Sequence, residues 1–213
     1  MYMHRQEPIE TIVEPAHFRA GKFYQAQTLK IYQDDDPQNP RTEWDNFGNM
    51  VCFHKRYQLG DIGHGISEDD FSSWSELEQF LIEEKEAAVI LPMYMYDHSG
   101  ITVNTTGFSC SWDSGQIGYT YTTCKEILEN WGECQITKEL RQKAHDLLVG
   151  EVQNYDDYLT GNVYGYTLED ENGNEIWSCW GYSGDSAVEQ IKSEQLYMHN
   201  AQKSAGTQVT VEA

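Results

Sequence analysis

A chain of 213 residues with 39% hydrophobic and 13% aromatic residues, 6 Trp and 14 Tyr among them, can bury a core without disulfides or metal, which excludes a disordered chain. Its 14 Lys and Arg against 35 Asp and Glu give a formal net charge of −21, a field that repels nucleic acid and anionic membrane and attracts basic protein surfaces. Residues 1–64 carry 7 bases and 9 acids, whereas residues 65–213 carry 7 bases and 26 acids, so the second part holds −19 of the total.

Residues 1–27 are of mixed polarity with two Pro and read as an N-terminal arm that includes a short strand. A single domain is expected over 28–203, followed by a polar tail over 204–213. It begins with "TLKIYQD" (28–34), which alternates and is rich in strand formers; "DDDPQNPR" after it is an acidic loop broken by Pro. "NMVCFHKRYQLGD" (49–61) fits a strand or a short helix that ends at Gly60. "SEDDFSSWSELEQFLIEEKE" then reads as one helix about 30 Å long at 1.5 Å per residue, capped by Ser67. Phe71, Trp74, Leu77 and Leu81 share its inner stripe, and Glu68, Asp69, Asp70, Glu76, Glu83 and Glu84 make its outer face acidic.

"AAVILPMYMYDHSGITVNT" reads as two strands joined by a turn at Asp97–Gly100, and "QIGYTYTT" (116–123) as another strand. "CKEILENWG" and "TKELRQKAHDLLVGEVQNYDDYL" have helical spacing. In the longer one Leu140, Ala144, Leu147, Leu148, Tyr155 and Leu159 form the apolar stripe, leaving Glu139, Asp146, Glu151, Asp156 and Asp157 for the polar side. "NVYGYTLEDENGNEIWSCWGY" is a hairpin turning at "ENGN", and a last helix is expected near 185–203. Strands and helices mix without strict alternation. The expected class is therefore α+β, an antiparallel or mixed sheet with about three to four helices whose outer faces are acidic.

The five Cys are an odd number without a CxxC pair and read as reduced thiols of a cytosolic protein. No signal region or apolar run of membrane-spanning length is present. Nor is there a P-loop, a GxGxxG, a GxSxG or a basic stripe interleaved with aromatics, which removes support for an ATPase, a Rossmann enzyme, a nucleophile-elbow hydrolase and a direct nucleic-acid binder. "WDNFG", "LGDIGHG", "YDHSG", "WDSGQIG" and "SGDS" each set an Asp in a turn. Asp45, Asp61, His64, Asp97, His98 and Asp113 could surround a divalent metal, or the Asp residues could simply bond their own turn backbone. Cys110 could act as a nucleophile with His98 or His54 as base and Asp113 or Gln116 as orienting group, or be a buried thiol between Phe108 and Trp112. His54, next to Lys55 and Arg56, offers either an anion contact or an exposed strand end.

"WDNFGNMVCFHKRYQLGD", "ILPMYMYDHSGITVNT", "FSCSWDSGQIGY" and "YLTGNVYGYTLED" together resemble a family of bacteriophage and mobile-element proteins with no assigned catalytic residues, over residues 28–182. The resemblance implies the cytosol of a host cell, a setting in which small acidic proteins act against host defence as DNA mimics or anti-CRISPR proteins. The leading expectation is thus a non-enzymatic inhibitor, without cofactor, whose acids at Glu68–Glu86 and Glu139–Asp157 bind a basic host nuclease or CRISPR effector. Two alternatives stay open: a metal- or thiol-dependent enzyme built on the Asp, His and Cys turns, and an accessory protein that assembles through its Tyr and Trp surface. The stretch 44–61 is expected to be scaffold.

Overall fold

The computed structural model describes residues 6–19 and 22–195; the start of the arm, the end of the expected 185–203 helix and the 204–213 tail lie outside the described residues. In chain order the elements are β1 (Glu10–Glu14), β2 (His17–Arg19), β3 (Lys22–Tyr24), β4 (Gln27–Gln33), α1 (Pro40–Glu43), β5 (Asn49–Cys52), α2 (Trp74–Glu83), β6 (Ala87–Asp97), β7 (Ile101–Asn104), β8 (Ser114–Thr123), α3 (Cys124–Trp131), α4 (Lys138–Thr160), β9 (Val163–Glu169) and β10 (Glu175–Ser183). The fold is α+β, and every strand pairing among the described residues is antiparallel. It divides into two compact units, one spanning Gln38–Thr160 and the other built from the chain on either side of it.

In the flanking unit the strand order is β1-β4-β9-β10, with β2 and β3 pairing separately. Residues from the arm thus supply an edge strand, because β1 pairs with β4 from Glu10↔Ile31 to Glu14↔Gln27. Alternation sends Leu29, Ile31 and Tyr166 to one face, where they pack with Val188 and Ile191 of the helical residues 187–195. The expected β9–β10 hairpin forms, and its turn is held by the Asp170 carboxylate, which accepts from the backbone N–H groups of Asn172 and Asn174. Gly165 faces Trp180 across the hairpin; a Cβ there would sit 2.2 Å from the indole ring, so only glycine leaves room for it.

The inserted unit has strand order β5-β8-β6-β7. Its β8 is buried from Ile117 to Thr122, because both faces of the sheet are covered. Against one face α4 packs Val152 and Tyr155 on Met50, Met93, Met95 and Val103. Against the other α2 packs Leu77 and Leu81 on Val51, Tyr119 and Tyr121, two leucines whose burial contributes about 2 kcal/mol each. Leu147, expected on the inner stripe of α4, is 42% exposed, since the stripe runs through Leu140, Ala144, Leu148, Val152 and Tyr155.

The single helix expected from Ser67 onward is in fact two pieces. Ser67 caps only a 3₁₀ turn over Glu68–Asp70, and α2 starts afresh at Trp74 with Ser73 as its N-cap, so the α-helical part is about 15 Å long. Two adjacent serines offer the backbone an alternative to helix.

At the other side of the sheet α3 carries a full capping box, Thr123 with Glu126, and ends on Gly132 in the left-handed region at φ 66°. Burial would raise the Glu126 pKa, but hydrogen bonds from the Thr123 N–H, Asn49 and Thr122 outweigh it and hold the carboxyl below its usual value. A carboxylate depressed in the folded state stabilises it above the unfolded value, and that contribution is lost as pH falls through the folded value. Glu126→Gln should therefore lower Tm at neutral pH, and the gap to the unmutated chain should close below about pH 4 in a Tm-versus-pH series.

Candidate functional site

The stretch 44–61 is organised around a cation from just outside it. Asn39 caps α1 by accepting from the Arg41 N–H at 2.9 Å, with Pro40 in the first turn. This aims the Arg41 guanidinium inward, where its side chain is 1% exposed. There its Nε donates to Asp61 Oδ1 at 2.8 Å, one terminal nitrogen reaches Glu151 Oε2 at 3.2 Å, and the other donates to the Gly48 carbonyl at 2.8 Å. The remaining carboxylate oxygens are also taken up. Asp61 Oδ2 accepts from the Met50 N–H at 2.7 Å, and Glu151 accepts from the Phe47 and Gly48 N–H groups. A buried charge is tolerated only when paired and hydrogen-bonded in this way. Asp61 and Glu151 are therefore structural: Glu151 leaves the expected acidic surface, and Asp61 is not available to a metal.

The other turn residues lie in separate arrangements. Asp97 pairs with Arg56. His98 Nδ1 lies 3.4 Å from Asp113 Oδ2 at the surface, with side chains 65% and 42% exposed, a pair of little energetic weight. Asp45 is exposed beyond α1. Cys110 is half-buried and no hydrogen bond among the described residues joins its Sγ to His98 or His54; its carbonyl accepts from Ser114. Trp112, read as a wall for that thiol, is 94% exposed. Among the described residues no group of three or more His, Cys, Asp or Glu is placed to hold a metal ion. The most enclosed thiol is Cys52, whose pKa burial pushes up to about 12, the opposite of an activated nucleophile.

The acids separate into two classes. On α4, Asp156 accepts from the Thr102 hydroxyl at 2.6 Å and the Val103 N–H at 2.7 Å and so fastens the helix to the sheet, while Asp157 is buried; neither belongs to an open acidic surface. Glu139 and Asp146 remain exposed, but Asp146 accepts from Gln142 and touches His145, and the same outer face carries Lys143. The segment 68–86 differs: it has eight acids and one Lys, a net −7, and only Glu78 among the acids is half-buried. No carboxylate in it belongs to an ion pair among the described residues. Its one cation, Lys85, lies over the Phe80 ring at 5.8 Å.

Within that segment Glu76 has a structural duty. Its carboxylate accepts from the Ser72 hydroxyl and N–H, bonds that hold its pKa down and fix the start of α2. Glu84 and Glu86 have none, and Glu83 accepts only from the Gln79 amide one turn back at 2.9 Å; the three cluster at the C-terminal end of α2, where the helix dipole disfavours negative charge and no base is present in the last turn. Glu86 also sits at φ 56°, a left-handed backbone that a residue with a Cβ rarely adopts.

Other features were not anticipated. Arg41 gave no sequence signal beyond its place after an Asn-Pro cap. Gly118 did give one, an isolated glycine within a strand: a Cβ there would lie 1.9 Å from the Val51 carbonyl, so β5 and β8 approach only because it is glycine. On β10, the edge strand of its sheet among the described residues, Ile176, Trp177 and Trp180 are exposed. No helix among the described residues is long and apolar enough to cross a membrane. No family model, no curated protein and no solved structure matches the chain.

Proposed function

We propose that this chain is a phage or mobile-element inhibitor that presents the acids of 68–86 to the basic nucleic-acid cleft of a host defence nuclease or CRISPR effector in the host cytosol. The observation that carries this reading is the unneutralised end of α2. Three carboxylates stand where they weaken their own helix, and none is in an ion pair among the described residues. Breaking a local rule without a local gain is what a surface selected for a partner does. A duplex carries about nine phosphate charges over the roughly 15 Å length of α2; α2 itself carries three carboxylates, Glu76, Glu78 and Glu83, and the whole 68–86 segment a net −7. The test is inhibition of DNA cleavage by a panel of restriction nucleases and CRISPR effectors at about 0.05 M and about 0.3 M salt. Inhibition at the lower salt, relieved at the higher, is expected; no inhibition of any member at either salt would sink the reading.

A second reading, assembly through aromatic surface, is favoured by β10. Its residues 176–183 carry no charge and lie on a sheet edge with Trp177 63% and Trp180 48% exposed, the kind of edge most proteins protect. It predicts self-association that sedimentation finds unchanged between about 0.1 M and about 1 M salt, whereas a monomer throughout would reject it.

A further inference from the structure

We infer that the cleft formed by residues 52–68 is a binding site for a nucleotide, with the base lying against its aromatic walls and the phosphate held by Lys55 and Arg56. The cleft encloses about 430 Å³, within the range of ligand sites at roughly 300–1,000 Å³. Its walls are fixed from behind. Gly60 bridges back to Val51, the Asp61 N–H donates to the Met50 carbonyl, and the Asp61 side chain is tied to Arg41, so the loop 53–59 closes on itself.

Two imidazoles line the cleft in the same local arrangement. His54 Nδ1 accepts from the Arg56 N–H at 3.4 Å, and His64 Nδ1 accepts from the Ile66 N–H at 3.1 Å. An Nδ1 that accepts leaves the proton on Nε2, so each neutral ring offers an Nε2–H donor. A metal-bound imidazole ligating through Nε2 needs the opposite tautomer, with Nδ1 as donor, so this arrangement favours a hydrogen-bonded ligand over a cation. Burial lowers the His64 pKa, in keeping with a neutral ring.

Flat faces surround these donors. His54 lies parallel to Tyr57 with centroids 5.1 Å apart, and Phe53 meets His64 edge-on at 5.8 Å. Base stacking on such faces gives affinity that tolerates differences in sequence. Arg56 is held 5.3 Å above the Tyr57 ring and is paired to Asp97, while Lys55 is exposed and has no carboxylate within ion-pair distance among the described residues. Glu68, also on the lining, is an acceptor suited to the amino or imino hydrogens of a base. The net −21 does not forbid an anion here, because at physiological salt charges beyond about 8 Å are largely screened and the nearest groups decide.

The test is titration of the full chain with GMP, AMP, UMP and inorganic phosphate, followed by calorimetry and by the imidazole proton resonances. A nucleoside monophosphate is expected to bind at least about tenfold tighter than phosphate, to shift the His54 and His64 resonances and leave His145 of α4 unmoved. Lys55→Glu, at an exposed position, is expected to weaken binding about tenfold or more with Tm unchanged. Phosphate binding as tightly as the nucleotides, no saturable shift, or Lys55→Glu binding like the unmutated chain would each overturn the inference. None of these results depends on the inhibitor reading, since Glu83, Glu84 and Glu86 lie outside the cleft.

Discussion

Arg41→Met is expected to destabilise the inserted unit by about 3 kcal/mol, seen as a fall of roughly 10 °C in Tm, although it places an apolar side chain of similar length in a buried position. The cost comes from what is left behind. Asp61 and Glu151 would keep their charges and backbone donors but lose the guanidinium that answers them, and the Gly48 carbonyl would lose its donor. The two carboxylate side chains are 26% and 17% exposed, so water relieves part of the penalty and the estimate stays at the lower end for a broken buried pair. Arg41→Lys keeps the charge, but one ammonium cannot reproduce a fork that reaches Asp61, Glu151 and Gly48 together; it should recover less than half of the loss. Denaturant midpoints for the two variants measure this directly. If Arg41→Met left the midpoint unchanged, the network would not be what holds 44–61 in place.

The same network shows where sequence reading reaches and where it stops. Elements defined by local periodicity were readable: α4 begins one residue from the expected start, and the β6–β7 and β9–β10 hairpins turn where Asp97–Gly100 and "ENGN" placed them. The break between Glu68–Asp70 and α2 was written in Ser72 and Ser73, but the apolar spacing through Phe71 and Trp74 continues across it and suggests one helix. The division into two units left no linker to see, because β4 and β9 pair across the whole inserted segment and the joins are short. Which acids are free could not be read from spacing at all. Glu151, Asp156 and Asp157 occupy polar positions of an amphipathic helix, yet Glu151 and Asp156 are engaged by chain far away in sequence and Asp157 is buried. His98 and Asp113 do meet, because the end of β6 and the start of β8 adjoin, but no hydrogen bond among the described residues brings the Cys110 thiol to them.

This sorting of the acids leads to the sharpest expectation of the inhibitor reading. Reversing Glu83, Glu84 and Glu86 together to Lys takes the 68–86 segment from −7 to −1. Inhibition should fall at least about 100-fold at low salt, with the difference narrowing as salt screens both proteins. The fold should respond in the opposite direction. Positive charge at a helix C-terminus is favourable, none of the three is in an ion pair among the described residues and the one exposed hydrogen bond lost, Gln79 to Glu83, is worth little, so Tm should hold or rise. Glu76→Lys cannot serve the same purpose, since it removes the acceptor of the Ser72 hydroxyl and N–H and would weaken α2 together with any partner contact. Reversal at Glu139 and Asp146 is the control, an equally exposed pair on a face that already carries Lys143, and it should cost little inhibition. Loss of inhibition with a steady or higher Tm is the signature of a surface kept for its partner at the expense of its own helix. Inhibition undiminished in the triple variant would remove the end of α2 from the interface and with it the basis of the proposal.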